Sequence, residues 1–272
     1  MTVVAGIRIY PVKSCRGIDA ETAVVERRGL AHDRRHMLID ANDRFVTQRQ
    51  HPQMALIGVT QDTTGLMLTA PGVEPLRIAA TQRFDACARV TIWRGGADAA
   101  IAPDDVNQWL TRHLGFDCRL VRMDAEHHRA VAHESAQSGD EVSFADGAPL
   151  LLASLASLRE LNARLAKPVS ITQFRPNLII DDSAAFAEDA WQRIRIGGAE
   201  LEVAWPCARC IMITIDPETG RADGDGEPLR TLRTFRQVGR GVMFGQNVIP
   251  RRLGPIAVGD RVEIVSLRER EQ

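Results

Sequence analysis

Cys207-Ala208-Arg209-Cys210-Ile211-Met212-Ile213-Thr214-Ile215 sets two thiols three positions apart and follows them at once with a largely β-branched run. A thioredoxin-type dithiol opens a helix within a βαβ unit, whereas this run predicts a strand over Ile211–Ile215, so the pair argues for a β-rich chain. A structural zinc site wants a second ligand pair of similar spacing, but Cys87 and Cys118 lie far apart in sequence and no histidine pair suits them. Two readings stay open from spacing alone. The cysteines are either small residues packed beneath a strand, or one of them is a thiolate ligand to a soft metal, with Arg209 supplying a neighbouring positive charge.

Working outward, short strands are expected at Ile7 to Val12, Met37 to Ile39, Phe45-Val46, Leu66 to Leu68, Val90 to Trp93 and Cys118 to Met123. The turn signal Asn42-Asp43 separates two of them. A helix is expected from Pro103 to Leu114, since Val106, Trp109, Leu110 and Leu114 share one face and Gly115 suits its end. Residues 124–141 turn polar and lose periodicity, which predicts a surface loop in which His127 and His128 are solvated. Leu155, Leu158, Leu161 and Leu165 predict a helix capped by Ser154. Further strands are expected at Leu178–Ile180, Leu201–Ala204 and Val262–Val265, and a short helix from Leu229 to Val238. The sum is a β-rich α+β chain in two packed parts, residues 1–124 and 125–272.

Composition narrows the function. The 272 residues carry 34 basic and 35 acidic side chains, a near-neutral balance that excludes proteins built to coat DNA or anionic lipid. No nucleic-acid binding and no membrane association are expected. Five cysteines with one close pair do not form a secreted disulfide framework, so a reducing, cytoplasmic setting is expected.

Other stretches carry chemistry. Tyr10-Pro11-Val12-Lys13-Ser14-Cys15-Arg16-Gly17 brings an ammonium and a hydroxyl to a strand end, the combination a phosphate pocket uses. Only Lys13 and Lys167 are lysine, yet an exposed turn lysine reads equally well from the sequence. Arg27, Arg28, Arg34, Arg35 and Arg49 make the first fifty residues locally basic, which is a solvated face unless several converge on one ligand. Phe144-Ala145-Asp146-Gly147, Gln173-Phe174-Arg175-Pro176-Asn177 and Phe244-Gly245-Gln246-Asn247 each set a polar side chain beside Gly or Pro where backbone and side chain can meet a ligand together.

Together these stretches, with Asp33-Arg34, Thr47 to Gln50, Asp216, Gly220 and Val258-Gly259-Asp260, resemble the MOSC superfamily. The likeness is to the branch that adds a β-rich amino-terminal domain, which includes the amidoxime-reducing components. The resemblance implies a MOSC-type β-barrel domain over 125–272 packed with an amino-terminal β-barrel-like domain over 1–124. It implies a molybdenum cofactor (molybdopterin, mononucleotide form) with Cys210 as the protein ligand of the metal, Cys207 and Arg209 beside it, and Asp146 near the metal in a catalytic role. Lys13, Ser14 and Arg34 match phosphate-gripping positions, and Arg175 and Asn177 match the pterin pocket. The branch has hydroxyl side chains where this chain has Gly147 and Ala148, so backbone amides are expected to replace them.

The implied reaction is reduction of a small N-hydroxylated substrate such as an amidoxime. No cysteine follows Cys210, so a fused plant-type ferredoxin cluster is impossible within this sequence, and no GxGxxG follows a strand. A separate ferredoxin-like or flavin-dependent electron donor is therefore expected. The alternatives are a cysteine-based sulfur carrier or transferase, associated with a pyridoxal phosphate enzyme, and a non-catalytic molybdenum cofactor carrier.

Overall fold

The computed structural model describes residues 1–93 and 95–269. Its largest sheet has nine strands and runs Val262–Leu267, Trp191–Ile196, Ala199–Arg209, Gly241–Arg252, Leu150–Ser154, Leu178–Asp181, Val3–Ile9 and Ile18–Ala20, with Gln237–Val238 beside Gly241–Arg252. Neighbours are antiparallel except Leu150–Ser154 and Leu178–Asp181, which are parallel and joined through the helix Leu155–Asn162. The Ser154 side chain accepts from the backbone N–H groups of Ala156 and Ser157, the cap expected from sequence.

The ends of this sheet meet. A bridge pairs Val3 with Arg261, and Val4 N donates to Asp260 O while Val262 N donates to Thr2 O, each at 2.9 Å. The sheet thereby curls into a barrel, and its inward residues Val4, Ile7, Leu152, Ile180, Ile194, Leu201, Val203 and Val248 form one buried core. Within Ala199–Arg209, residues Ala199, Leu201 and Val203 point inward at the two-residue period of a strand. Beyond Val203 the register slips twice, between Val203 and Trp205 and between Pro206 and Ala208. Such irregularities turn a strand off its course, and here they carry Cys207, Ala208 and Arg209 out of the barrel wall and into a cleft.

A four-stranded sheet in the order His36–Ile39, Arg119–Arg122, Gly95–Ile101, Ala86–Ile92 and a three-stranded sheet Gly58–Asp62, Gly65–Ala70, Val73–Ala79 build the rest of the amino-terminal half. The helix Asp104–Leu114 buries Val106, Trp109, Leu110 and Leu114 against them and ends at Gly115, whose φ of 77° is the left-handed conformation glycine adopts most readily. The two parts exchange strands across residue 125, because Val3–Ile9 pairs with Leu178–Asp181 and Thr22–Glu26 pairs with Gly254–Ala257.

The β-rich α+β class expected from sequence holds, with strands far exceeding the three α-helices among the described residues. One local expectation fails. Ile211–Thr214 is a 3-10 turn instead of a strand, closed by the Thr214 hydroxyl donating to Ile211 O at 2.8 Å, while Ile213 is buried and Ile211 exposed. A hydroxyl that bonds back to its own turn outcompetes β propensity here. Phe45-Val46 contributes only a single bridge, from Phe45 to Ile39. No helix among the described residues is long and apolar enough to cross a membrane.

Candidate functional site

A cleft of about 960 Å³ opens between the barrel and the amino-terminal half. All eleven residues expected from sequence line it: Lys13, Ser14, Arg34, Asp146, Gly147, Ala148, Arg175, Asn177, Cys207, Arg209 and Cys210. Their positions in sequence span almost two hundred residues, so the fold alone brings them together.

Three of them sit in turns with strained backbone. Ser14, Arg34 and Arg175 have φ of 66°, 50° and 56°, a left-handed conformation that is costly for residues other than glycine. Arg175 ends the 3-10 turn Ile171–Phe174, which Ser170 and Gln173 cap reciprocally, and Pro176 stops its continuation. Arg34 N donates to Tyr10 O at 2.7 Å, holding the second turn against the first strand. The Arg34 and Arg175 guanidiniums lie 4.5 and 4.3 Å from the centre of the Tyr10 ring, a stacked arrangement that fixes both at once.

Asp33 anchors this wall from beneath. Fully buried, it accepts from Tyr10 N at 2.8 Å and Asn177 Nδ2 at 2.9 Å and pairs with Arg34 Nη1 at 2.5 Å. Arg34 also donates to Asn177 Oδ1 and to Arg175 O. Arg175 is different. It is buried, and its Nη2 has no hydrogen-bond partner. Burial pushes its guanidinium down to about 10, and the charge on Arg34 adds to the effect while Tyr10 opposes it. A buried cation with an unused donor carries a desolvation cost that no protein group here offsets.

In the same cleft, Arg49 reaches Cys210 Sγ through Nε at 3.2 Å and Asp146 Oδ2 through Nη2 at 3.1 Å. Burial works against its charge, and Asp146 and Cys210 more than restore it. Asp146 also accepts from Trp93 Nε1 at 3.2 Å and pairs closely with Lys13 Nζ, which donates in addition to Phe144 O at 2.8 Å. Burial resists ionisation of Asp146, but Lys13 and Arg49 outweigh it and hold the carboxyl well below the usual carboxylate range. Burial pulls the Lys13 ammonium down to about 8, with Asp146 opposing. Arg129 fixes the loop itself, donating to Ser143 O, Ala145 O and Asp146 O at 2.8, 2.6 and 3.2 Å. Cys207 is met by Arg209 Nη1 at 3.0 Å.

The structure therefore pairs Lys13 with Asp146 instead of leaving it free beside Ser14 and Arg34. Sequence reasoning missed Arg129, Trp93 and the stack of His133 on Trp205, whose rings lie 3.7 Å apart and within 5° of parallel at the cleft wall. Arg49 was visible as one of several basic residues and inside the Thr47 to Gln50 stretch, with no role of its own. The polar 124–141 segment is more than a surface loop, since it bridges Ala130 to Glu141, buries Val131 and aims Arg129 at the site.

The family description "MOSC N-terminal beta barrel domain" matches residues 1–117, and "MOSC domain" matches residues 139–263. Mitochondrial amidoxime-reducing component 1 of Homo sapiens is 36% identical over 282 residues, covering 96% of this chain and 82% of that protein. The Danio rerio protein of the same name is 34% identical over 273 residues, covering 96% and 84%. Mitochondrial amidoxime reducing component 2 of Bos taurus is 33% identical over 279 residues, covering 95% and 82%.

Proposed function

The chain belongs to the family that joins a MOSC N-terminal β-barrel domain to a MOSC domain, and on that premise we propose that it is a molybdenum-cofactor-dependent reductase of small N-hydroxylated compounds. The observation that carries the reading is Arg49 joining Cys210 and Asp146 in the same cleft that the unpartnered guanidinium of Arg175 lines. The names of the relatives supply the substrate class.

The residues fit such a group. Arg175 offers a buried, unused donor suited to a phosphate or a pterin carbonyl, and two sulfurs suit a soft metal. Arg34, Asn177 and Ser14 would hold the cofactor beside Arg175, the backbone at Gly147 and Ala148 would close over it, and Cys210 would ligate the metal with Cys207 and Arg209 alongside. When bound, the cofactor supplies a two-electron redox centre.

The chain's own groups do the rest. Arg49 places a fixed cation and an N–H donor at the Cys210 sulfur. Asp146 stays ionised at neutral pH, so it acts as an acceptor that orients an N–OH or N–H group of the substrate and is a poor proton donor. The proton is held instead at Lys13 Nζ, lowered to about 8 and hydrogen-bonded to Asp146, close enough to neutrality to be released and regained. The Trp205 and His133 rings give the substrate's flat part an apolar wall. Electrons come from a separate ferredoxin-like or flavin-dependent protein. Five free cysteines support a reducing, cytoplasmic setting.

The test is turnover of benzamidoxime with a chemical reductant by protein made in a cofactor-producing host, wild type beside Cys210→Ser. Turnover should vanish in the variant while the fold and pterin content persist. Full activity in Cys210→Ser sinks the ligand assignment, and wild-type protein without molybdenum or pterin turns the reading toward sulfur handling.

A further inference from the structure

Trp93 opens the turn of the hairpin that joins Ala86–Ile92 to Gly95–Ile101. Its φ is 55°, a left-handed conformation that hairpin turns fill with Asn, Asp or Gly and that a bulky side chain adopts only at a cost. The indole is also 50% exposed, so burial offsets little of that cost. Backbone strain carried by an exposed aromatic points to a task for the side chain.

Its contacts lie at the site. Trp93 Nε1 donates to Asp146 Oδ1 at 3.2 Å. The Arg49 guanidinium, which donates to Cys210 Sγ and Asp146 Oδ2, lies 4.7 Å from the centre of the Trp93 ring. The Phe45 ring packs 5.1 Å from the indole, and the Lys13 ammonium lies 5.6 Å from the centre of Phe45. The two rings thus support the two cations that flank Asp146. Backbone bonds from Phe45 N to Thr91 O at 3.1 Å and from Thr91 N to Asp43 O at 2.8 Å fix the Phe45 segment to the hairpin.

This arrangement makes the two oxygens of Asp146 unequal. A carboxylate offers about four acceptor sites, two on each oxygen. Lys13 Nζ and Trp93 Nε1 both bond to Oδ1 and fill it, whereas among the described residues Oδ2 receives Arg49 Nη2 alone. The site left open is on Oδ2, beside the guanidinium that also meets Cys210, and 40% of the Asp146 side chain stays exposed to receive a donor.

We propose that Trp93 is a positioning residue: its indole N–H closes Oδ1 of Asp146 and leaves Oδ2 as the oxygen that takes the N–OH hydrogen of the substrate, on the side of Cys210. The inference rests on the reading of Asp146 as the acceptor that orients the substrate. Two substitutions separate positioning from packing. Trp93→Phe keeps a flat face for Arg49 and loses only the N–H, whereas Trp93→Asn suits the left-handed turn and loses both.

The bond itself is read without cofactor or substrate. In proton–nitrogen correlation spectra of the full chain, the Trp93 indole N–H signal, identified by its absence from Trp93→Phe, should move upfield in Asp146→Ala. With protein from a cofactor-producing host, benzamidoxime and a chemical reductant, both Trp93 variants should lose about tenfold in kcat and in kcat/KM alike, the worth of one hydrogen bond. KM and pterin content should stay at their wild-type values. The urea midpoint of Trp93→Asn should hold as well, because relief of the turn offsets the lost ring contacts. An indole signal unmoved in Asp146→Ala, full kcat in Trp93→Phe, or a Trp93→Asn midpoint that falls along with its activity overturns the proposal. A shifted indole signal in wild-type protein that turns over no N-hydroxylated compound fails the reading of the site and leaves the closed Oδ1 standing.

Discussion

Replacing Asp33 with alanine tests the buried frame of the site directly. The carboxylate is fully buried and receives Tyr10 N, Asn177 Nδ2 and Arg34 Nη1. Removing one member of a buried ion pair costs about 3–5 kcal/mol, because the survivor is left charged without a partner. The orphaned Tyr10 N–H and Asn177 amide would each add about 1–3 kcal/mol if they stayed dry, but the space vacated by the carboxylate admits water, so the terms overlap. We expect Asp33→Ala to lose about 4 kcal/mol, a large share of the roughly 5–15 kcal/mol by which folded domains are stable. Urea titration followed by tryptophan fluorescence and circular dichroism reads this as a lower midpoint at unchanged slope. The double variant Asp33→Ala/Arg34→Met should recover part of the loss, since no unpaired charge remains. A loss below about 1 kcal/mol in the single variant, or a double variant no better than the single one, refutes the argument that charge burial dominates this wall.

The pH dependence of stability should carry the mark of Lys13. Its folded value is lowered to about 8 from the ordinary 10.5, so between those values the unfolded chain holds a proton that the folded chain has released, and stability rises with pH across that window. Lys13→Met removes this rise, which urea midpoints at successive pH values would record; an unaltered slope would show that Lys13 is not desolvated. Arg175→Met should leave folding intact or improve it, since it removes a buried unpaired cation, while pterin content after purification falls at least tenfold. Retained pterin would remove Arg175 from the cofactor pocket. Gly17→Ala should cost about 1–3 kcal/mol, because its Cβ would lie 2.5 Å from the Tyr10 ring that carries both Arg34 and Arg175. Thermal melts decide that, and a wild-type midpoint would show that the ring yields without cost.

The parts of the site legible in sequence were those with local grammar or a family pattern. Leucines at helical spacing behind Ser154 marked a real helix, and Lys13, Asp146, Arg175 and Cys210 stood in short motifs bounded by Gly or Pro. What escaped notice depends on distance. The union of Arg49 with Cys210 joins positions far apart in sequence, and although Arg49 lies in the Thr47 to Gln50 stretch, no local spacing shows which partner its guanidinium meets. Arg129 and His133 lie in a segment whose polarity reads as solvent-facing, although it folds inward over the cleft. The Ile211–Ile215 run has the composition of a strand and loses to one hydroxyl hydrogen bond. Closure of the barrel left no local trace, because no short-range pattern records which strand pairs with the first.

That closure bears on how the protein is made. The first strand bonds to the segment around Arg261. At synthesis rates of about 5–20 residues per second, the roughly 260 residues between them take some 13–50 s to emerge from the ribosome. During that interval the edge of Val3–Ile9 that meets Asp260–Val262 lacks its final partner, and an open strand edge is a template for pairing with another chain. Ample chaperone during expression, which shields these nascent edges until closure, should therefore raise the soluble yield.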